Sequence, residues 1–170
     1  MTLDAVGWAN AVAANGSDWL LPARRKREGF TAGLVELGLV SKPADAMRHV
    51  ASTTYSVDGG QAAANELLST GHTAIICASD LMALGAIRAV RARGLDVPAD
   101  VSVVGFDDST LMAFTDPPLT TVRQPVPALC QAAISSLLTQ MRGEQVSRTE
   151  VLIDSELVVR DSTAPAPSAR

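Results

Sequence analysis

Cysteine and aromatic residues are both scarce in this sequence. Of 170 residues, 4% are aromatic and two are cysteine, Cys77 and Cys130. Two cysteines do not make the dense disulfide framework that stabilises small secreted domains, so that class is excluded. Both cysteines lie in apolar stretches, which predicts buried free thiols in a reducing compartment. With 47% apolar residues, the composition favours an α/β core built from Ala, Val and Leu.

Positive charge is scarce as well. The chain carries 14 Lys and Arg residues against 18 Asp and Glu residues, a net charge of −4. Phosphates of nucleic acids are contacted by clustered basic side chains, so we do not expect this chain to bind nucleic acid by itself. The one basic cluster, residues 24–27, is short. It either begins a solvated helix or supplies a cation to a ligand site.

Long apolar runs and leader-like segments are missing. No apolar run approaches the roughly 20 residues of a membrane-spanning helix. The first residues include Asp4 and lack the basic region that begins a secretory signal. These absences predict a cytoplasmic protein that does not contact a membrane.

Motifs for metal, phosphate or nucleophilic chemistry are also missing. The sequence contains no HExxH, no CxxC, no Gly-rich phosphate loop and no Gly-x-Ser-x-Gly. His49 and His72 are single and far apart in sequence, so we interpret them as structural residues rather than metal ligands. The sequence therefore predicts no metal, no cofactor and no catalytic residue.

The most informative stretch that is present is residues 72–108, which reads as strand, helix and strand. Ala74–Cys77 is an apolar run of strand length, and Ser79 stands where a helix N-cap is expected. Apolar residues then recur at helical spacing until Gly94, a typical residue after a helix end. Residues 101–106 form the second apolar run. This order predicts two parallel strands joined by a right-handed crossover.

Polar side chains follow both of these strands. Ser79 comes after the first, and Asp107 and Asp108 come after the second. Parallel sheets bind ligands outside the carboxyl ends of their strands, so these residues are candidates for a site. Adjacent residues of an extended chain point to opposite sides, which makes it improbable that both carboxylates serve one site. The alternatives for the pair are turn capping and the carboxylate of an α/β phosphatase-like enzyme.

Periodicity and turn residues predict the remaining elements. Helices are expected at residues 24–37, at 61–69 after a turn at 57–60, and at 126–141. Short strands are expected at 5–12, 49–52, 119–122, 151–153 and 157–159, with a short helix or turn at 109–115. Residues 1–23 stay unassigned to a domain, residues 24–160 form one lobe, and the polar, Pro-containing tail at 161–170 is predicted to be disordered.

The order of residues in the central stretch closely resembles a known family. CASDLMALGAIRAVRARGLDVPADVSVVGFDD at residues 77–108, followed by DPPLTTVRQP at 116–125, is similar to the effector-binding domain of LacI/GalR regulators. These are lactose-repressor-like bacterial transcription regulators whose core is shared with periplasmic sugar-binding proteins. The resemblance covers roughly residues 24–160. It implies an α/β, Rossmann-like parallel-sheet lobe of the periplasmic-binding-protein-like type I fold, with most of the second lobe, the hinge and the DNA-binding helix-turn-helix missing.

The resemblance also implies ligand contacts. Asp107 corresponds to an acidic residue that accepts hydrogen bonds from ligand hydroxyls, and Tyr55 to an aromatic residue that lines the sugar pocket; the alternative for Tyr55 is a half-buried packing role. Lys26 stands where the family usually carries Arg, and Arg25 is the alternative cation. Lysine keeps the charge but loses the planar fork that grips two oxygens. Ser79 stands where Asn is frequent, and Gln124 ends the last crossover strand at a position that can face the cleft.

The function implied is that of the ligand-sensing domain of a transcriptional regulator. The effector is expected to be a sugar or a related polyol. A homodimer contact is implied near Met82, Ala83 and Leu84, and operator DNA is expected as a partner only of a full-length form. Two alternatives stay open, a sugar-binding protein for uptake and an α/β hydrolase or phosphatase-like enzyme using Asp107.

The helix predicted at 126–141 has a wide apolar stripe, and by the resemblance this crossover helix, 126–142, would pack on the missing lobe. Five large apolar side chains are worth about 1.5–3 kcal/mol each when buried, on the order of 10 kcal/mol together. We therefore expect the stripe to fold back on this lobe or to pair with a second chain.

Overall fold

In the computed structural model, the described part of the chain consists of residues 6–12, 21–146 and 152–165. It contains one six-stranded sheet with the order β2-β1-β3-β4-β5-β6. The first five strands are parallel and β6 is antiparallel to β5. The strands are β1 Val6–Val12, β2 Val50–Thr54, β3 Ala74–Cys77, β4 Ser102–Asp107, β5 Thr120–Arg123 and β6 Glu156–Val158. The chain order reverses between β1 and β3, and such a switch point is where open α/β sheets bind ligands.

Five α-helices accompany the sheet. They are α1 Leu21–Glu36, α2 Pro43–Ala46, α3 Val57–Ser69, α4 Asp80–Ala92 and α5 Val126–Met141. The core consists mainly of aliphatic side chains from β3, α4 and β4, and Ile75, Met82, Val90 and Val103 are fully buried. The predicted parallel α/β fold is confirmed, and the aromatic-poor composition is reflected in a core made almost entirely of Ala, Val, Leu, Ile and Met.

Helices α3 and α4 approach each other backbone to backbone. A Cβ atom added to Gly60 would lie 2.1 Å from the Met82 carbonyl oxygen, and one added to Gly85 would lie 1.9 Å from the Val57 carbonyl oxygen. No side chain fits at either position. These two glycines let the pair of helices lie as one layer on the sheet, which in turn sets the direction of α4.

The start of α3 differs from the prediction. Residues 57–60 were expected to form a turn, but the helix already begins at Val57, because the Ser56 hydroxyl accepts a hydrogen bond from the Gly59 amide at 2.9 Å. Helix α1 likewise begins at Leu21, within the segment left unassigned. The α4 cap was predicted correctly, since the Ser79 hydroxyl accepts from the Met82 amide at 3.3 Å. Of the strand expected at 151–153, residues 152 and 153 are not in a strand, and Val151 lies outside the described residues.

The prediction of a disordered tail is wrong for residues 161–165. Ser162 is fully buried. Its hydroxyl donates to the Val103 carbonyl at 2.6 Å and accepts from the Thr120 amide at 2.8 Å. The Val103 amide also donates to the Ser162 carbonyl at 2.9 Å. Composition suggested disorder, but buried backbone groups of β4 and β5 require partners, and this segment supplies them. Residues 166–170 lie outside the described residues.

Helix α5 does not fold back on the lobe. None of its residues is buried, and large apolar side chains along it are 41–74% exposed, namely Val126, Leu129, Ile134, Leu137, Leu138 and Met141. The first alternative for the stripe is therefore wrong, and pairing with a second chain stays a prediction.

The exposure of α5 also corrects the expectation of two buried thiols. Cys77 is buried and free, whereas Cys130 on α5 is free and exposed.

Candidate ligand-binding site

Side chains from several elements meet at the carboxyl end of the parallel sheet. Lys26 comes from α1, Tyr55 follows β2, Asp107 ends β4 and Gln124 follows β5. Hydrogen bonds and electrostatic interactions connect these four predicted residues. We call this set the rim cluster. The parallel topology brings Tyr55, Asp107 and Gln124 together, because the carboxyl ends of parallel strands lie at the same edge of the sheet, and α1 adds Lys26 there.

Lys26 is the cation of the rim cluster. Its Nζ donates to the Ala78 carbonyl at 2.9 Å and to the Tyr55 hydroxyl at 3.2 Å. It also lies 3.5 Å from the centroid of the Phe106 ring, within the range of a cation–π interaction. Burial lowers the pKa of Lys26, and the carboxylates of Asp107 and Asp80 partly oppose that shift.

Arg25, the alternative cation, is an exposed residue of α1. The rim contacts described here are made by Lys26, at the position three residues before Gly29.

Tyr55 presents both a polar and an apolar surface at the rim. Its hydroxyl donates to the Ala78 carbonyl at 2.6 Å, while the residue is 40% exposed. Burial, followed by the charge of Asp107, raises the pKa of Tyr55 to about 12, so the phenol stays protonated at neutral pH. A protonated hydroxyl beside a partly exposed ring is suited to a ligand with both hydroxyl groups and an apolar face.

Asp107 is the acceptor of the rim cluster. Its Oδ1 accepts a hydrogen bond from Gln124 Nε2 at 2.5 Å. Burial raises the pKa of Asp107; the Gln124 hydrogen bond and the Lys26 charge oppose the shift, and Asp80 adds to it. The register of β4 and β5 explains the contact with Gln124. Asp107 is paired with Arg123 on β5, and Gln124 is the next residue after Arg123.

The neighbouring carboxylate, Asp108, has different partners. It accepts from Arg123 Nε at 2.7 Å and from Arg160 Nη2 at 2.6 Å. The two acidic residues therefore serve separate networks, as expected, although the backbone at both residues has a positive φ and is not extended.

Ser79 lies at the same edge as Asp107, because β3 and β4 are neighbouring parallel strands. Its side chain, however, is the N-cap of α4, and the residue is only 2% exposed. The hydroxyl is thus already used by the backbone of α4. Any contact of Ser79 with a ligand has to compete with that cap.

Two residues of this region were missed by the sequence reading. Asp80 is 3% exposed; its Oδ1 accepts from the Thr121 hydroxyl at 2.6 Å and its Oδ2 from the Ser109 amide at 2.8 Å. It joins α4, β5 and the loop after β4 beneath the rim. Phe106 was read only as a strand residue. A Ser-Asp pair at a helix start does signal a cap, but nothing in the sequence shows that the Asp reaches across two strands.

The three residues proposed for a dimer contact differ in their burial. Met82 and Ala83 are fully buried within the chain, so they do not form a surface. Leu84 is partly buried and lines a groove of about 600 Å³ on α4, which lies apart from the rim cluster. The expectation for Met82 and Ala83 is corrected because α4 packs one whole face against α3 and the sheet. The groove is lined by Leu84, Ile87, Arg88, Arg91, Ala92, Thr115 and Asp116.

His49 and His72 are buried and hydrogen-bonded to each other, with Nδ1 of the first 3.0 Å from Nε2 of the second. Their separation in sequence concealed this pairing.

Among the described residues there is no group of three or more His, Cys, Asp and Glu side chains placed to hold a metal ion. Within the same part of the chain, no helix has the length and apolar character needed to cross a membrane.

The fold and the rim cluster define a periplasmic binding protein-like, ligand-binding domain, and residues 11–163 match the family model of that domain. Its relatives are more specific. The chain is 59% identical over 152 residues to an uncharacterised HTH-type transcriptional regulator in the aml 5′ region of Streptomyces limosus. It is 51% identical over 169 residues to the HTH-type transcriptional regulator MalR of Streptomyces coelicolor. These matches cover 89% and 99% of this chain.

Solved structures agree with this result. The transcriptional regulator CelR in complex with cellobiose superposes with a TM-score of 0.81 at 30% identity, over 94% of this chain and 46% of that one. The lac repressor dimer bound to operator and the anti-inducer ONPF gives 0.79 at 29% identity, over 95% and 53%. The chain belongs to the LacI family of transcriptional regulators, of which it is the ligand-binding domain. It spans about half the length of the curated relatives it matches, 43% and 49%.

Proposed function

We propose that this chain senses a sugar or a related polyol at the rim cluster and does not catalyse a reaction on it. The observation that carries the proposal is that an ammonium group, a carboxylate and a partly exposed aromatic ring lie in one cluster, connected by hydrogen bonds and by the attraction between Lys26 and Asp107. A carboxylate accepts from sugar hydroxyls, an ammonium donates to them, and an aromatic ring covers the C–H face of the sugar.

The two alternative functions are less well supported. An uptake protein would share this fold, but the relatives are named transcriptional regulators. For an enzyme using Asp107, the carboxylate would have to act as nucleophile or base. Its Oδ1 instead accepts a hydrogen bond from the Gln124 amide, so this oxygen already has a partner. A carboxylate held in place by an amide fits the binding of ligand hydroxyl groups. The site of action of a regulator of this kind is the cytoplasm, where a full-length form would meet its operator DNA.

Thermal denaturation with a panel of sugars tests the proposal. The panel contains cellobiose, which is the sugar in the CelR complex, together with maltose, glucose and sorbitol. A ligand at a hundred times its Kd stabilises the folded state by about 2.7 kcal/mol. For a chain of this length, that corresponds to a rise in Tm of roughly 5–11 °C. Calorimetric titration then gives the Kd of the best sugar. A panel in which no sugar changes the Tm would contradict the proposal.

We further propose that the chain pairs with a second copy through the groove on α4. Phe114, which precedes the groove residues Thr115 and Asp116 in the chain, is an apolar residue that is 81% exposed. An exposed aromatic ring beside a partly apolar groove is typical of an interface anchor. The similarity to the lac repressor dimer supports a symmetric pair.

Substitution of Phe114 tests the paired form. Phe114→Asp is expected to raise the dimer dissociation constant at least about tenfold, because it places a charge at the anchor of an apolar contact. Leu37→Asp is the matched control, since Leu37 is 70% exposed after α1 and away from the groove. Sedimentation equilibrium measures both. If both variants associate as the parent chain does, the groove is not the interface.

A further inference from the structure

The chain leaves β4 through two residues with unusual backbone conformations. Asp107 has φ of 126° and Asp108 has φ of 56°. Both values lie in the left-handed region, which residues with a Cβ atom rarely adopt and which persists only where surrounding contacts enforce it. Asp107 is the acceptor of the rim cluster. Whatever enforces this backbone therefore also decides where the Asp107 carboxylate lies.

The contacts that can enforce it are made by Asp108. Its side chain is only 6% exposed. One carboxylate oxygen accepts from Arg123 Nε and the other from Arg160 Nη2, at 2.7 and 2.6 Å. Burial alone would raise the pKa of Asp108, but the hydrogen bonds from Arg160 and Arg123 outweigh it and lower the pKa. The carboxylate is thus ionised and held on both oxygens.

The two arginines come from different segments. Arg123 is on β5, and its Nη1 also donates to Glu156 Oε2 on β6 at 2.9 Å. Arg160 follows β6; its Nη1 donates to the Leu119 carbonyl at 2.7 Å, and its backbone amide donates to the Thr120 hydroxyl at 2.9 Å. Both Glu156 and Arg160 belong to the segment that returns after α5. The Asp108 carboxylate therefore ties the end of β4 to this returning segment.

We propose that Asp108 is a positioning residue: through Arg123 and Arg160 it holds the strained end of β4 and so aims Asp107 at the ligand. Ligand affinity is thereby coupled to the position of β6, the one antiparallel strand of the described sheet. The coupling rests on the proposed function in one respect, that Asp107 accepts from ligand hydroxyls. Asp108 itself faces the arginines and does not contact the ligand.

The experiment compares Asp108→Asn with a matched variant, Asp96→Asn. Asn keeps the shape of the side chain but removes the charge that holds both arginines. Asp96→Asn removes an exposed carboxylate from the connection between α4 and β4, at the opposite edge of the sheet from the rim cluster. Two quantities are measured for each, the Kd for the best sugar of the panel by calorimetry and the titration midpoint of the Asp107 carboxyl by carbon-13 NMR.

Asp108→Asn is expected to weaken sugar binding about tenfold or more, as the loss of an aligned charged acceptor would. It is also expected to shift the Asp107 titration, which loss of stability alone would not do. Asp96→Asn is expected to change neither quantity. Arg160→Lys keeps the positive charge but loses the planar guanidinium group. It should produce a smaller rise in the sugar Kd and a smaller shift of the Asp107 titration. If Asp108→Asn does not fold, Arg160→Lys takes its place in the experiment.

The outcomes distinguish the positioning role of Asp108 from the proposed function of the domain in sugar binding. If the parent chain binds a sugar and the folded Asp108 and Arg160 variants bind it equally well, with an unchanged Asp107 titration, the coupling is wrong and the proposed function stands. If the parent binds no sugar of the panel but the Asp107 titration moves in these variants, the positioning of Asp107 by Asp108 stands, whereas the proposed function and the coupling to sugar affinity are wrong.

Discussion

Asp107→Asn is expected to weaken sugar binding by about 10- to 150-fold, which is the loss of 1.5–3 kcal/mol for a hydrogen bond to a charged acceptor. The amide keeps the size of the side chain but cannot accept on both branches, and it removes the negative charge facing Lys26. Calorimetric titration of the parent and the variant with the best sugar of the panel measures the change. Asp96→Asn, at an exposed residue of the connection between α4 and β4 and at the opposite edge of the sheet from the rim cluster, should bind as the parent does.

The stability of the Asp107 variant distinguishes lost binding from lost folding. Burial raises the pKa of Asp107 in the folded chain. An acid with a raised folded pKa favours folding below its unfolded pKa, and this contribution is lost as the pH rises through the folded value. At neutral pH, the ionised Asp107 therefore disfavours folding. Asp107→Asn should have a Tm no lower than the parent at pH 7, with the difference shrinking in acid. A variant that melts well below the parent at neutral pH would contradict this assignment.

Among substitutions in α4 that add one methyl group, Gly85→Ala is expected to lower the free energy of unfolding most. Its Cβ would lie 1.9 Å from the Val57 carbonyl oxygen and 2.7 Å from the Gln61 amide nitrogen, both of which are backbone atoms. Helices α3 and α4 must separate, at a cost of about 3 kcal/mol for a packed core that is forced apart. The Tm should fall by roughly 6–12 °C, and thermal denaturation followed by circular dichroism measures it.

Gly33→Ala is the matched control for this prediction. Gly33 is also within a helix, but a Cβ atom there meets no atom within 4 Å. The same substitution should then stabilise the chain by about 0.5–1 kcal/mol, because alanine loses less backbone freedom on folding than glycine. Equal effects at the two positions would show that helix propensity, and not the contact between α3 and α4, decides the outcome.

The elements with a strong local pattern were predictable from the sequence. The strand Ala74–Cys77, the Ser79 cap and the helix Val126–Met141 all lie where periodicity and capping rules put them. The rule that parallel strands bring their carboxyl ends to one edge was enough to bring Tyr55, Asp107 and Gln124 together, whereas Lys26 reaches this edge from helix α1. The resemblance to the family selected these residues among the polar ones, and their role in ligand binding stays a proposal.

The features that were missed depend on partners distant in sequence. Ser162 is polar and stands in a Pro-containing tail, yet it is buried because β4 and β5 have backbone groups to satisfy. Gly59 and Gly60 suggested a turn, but the missing Cβ of Gly60 allows the contact with α4, and that of Gly59 allows a close contact with Thr54 at the end of β2. Asp80 and the arginines of Asp108 join strands that are adjacent only after folding. A local sequence pattern shows the periodicity of an element. It does not show which distant residue a side chain will contact after folding.

The carbonyl oxygen of Ala78 has a consequence for how strongly any ligand is held. This oxygen accepts from both Lys26 and Tyr55. A sugar oxygen that takes over either donor must first displace a bond that the protein already makes. Recognition at this edge is therefore an exchange of partners, and the net gain is the difference between the new bond and the old one. Molecules that offer a single weak acceptor gain almost nothing, so the domain's own hydrogen bonds select against them.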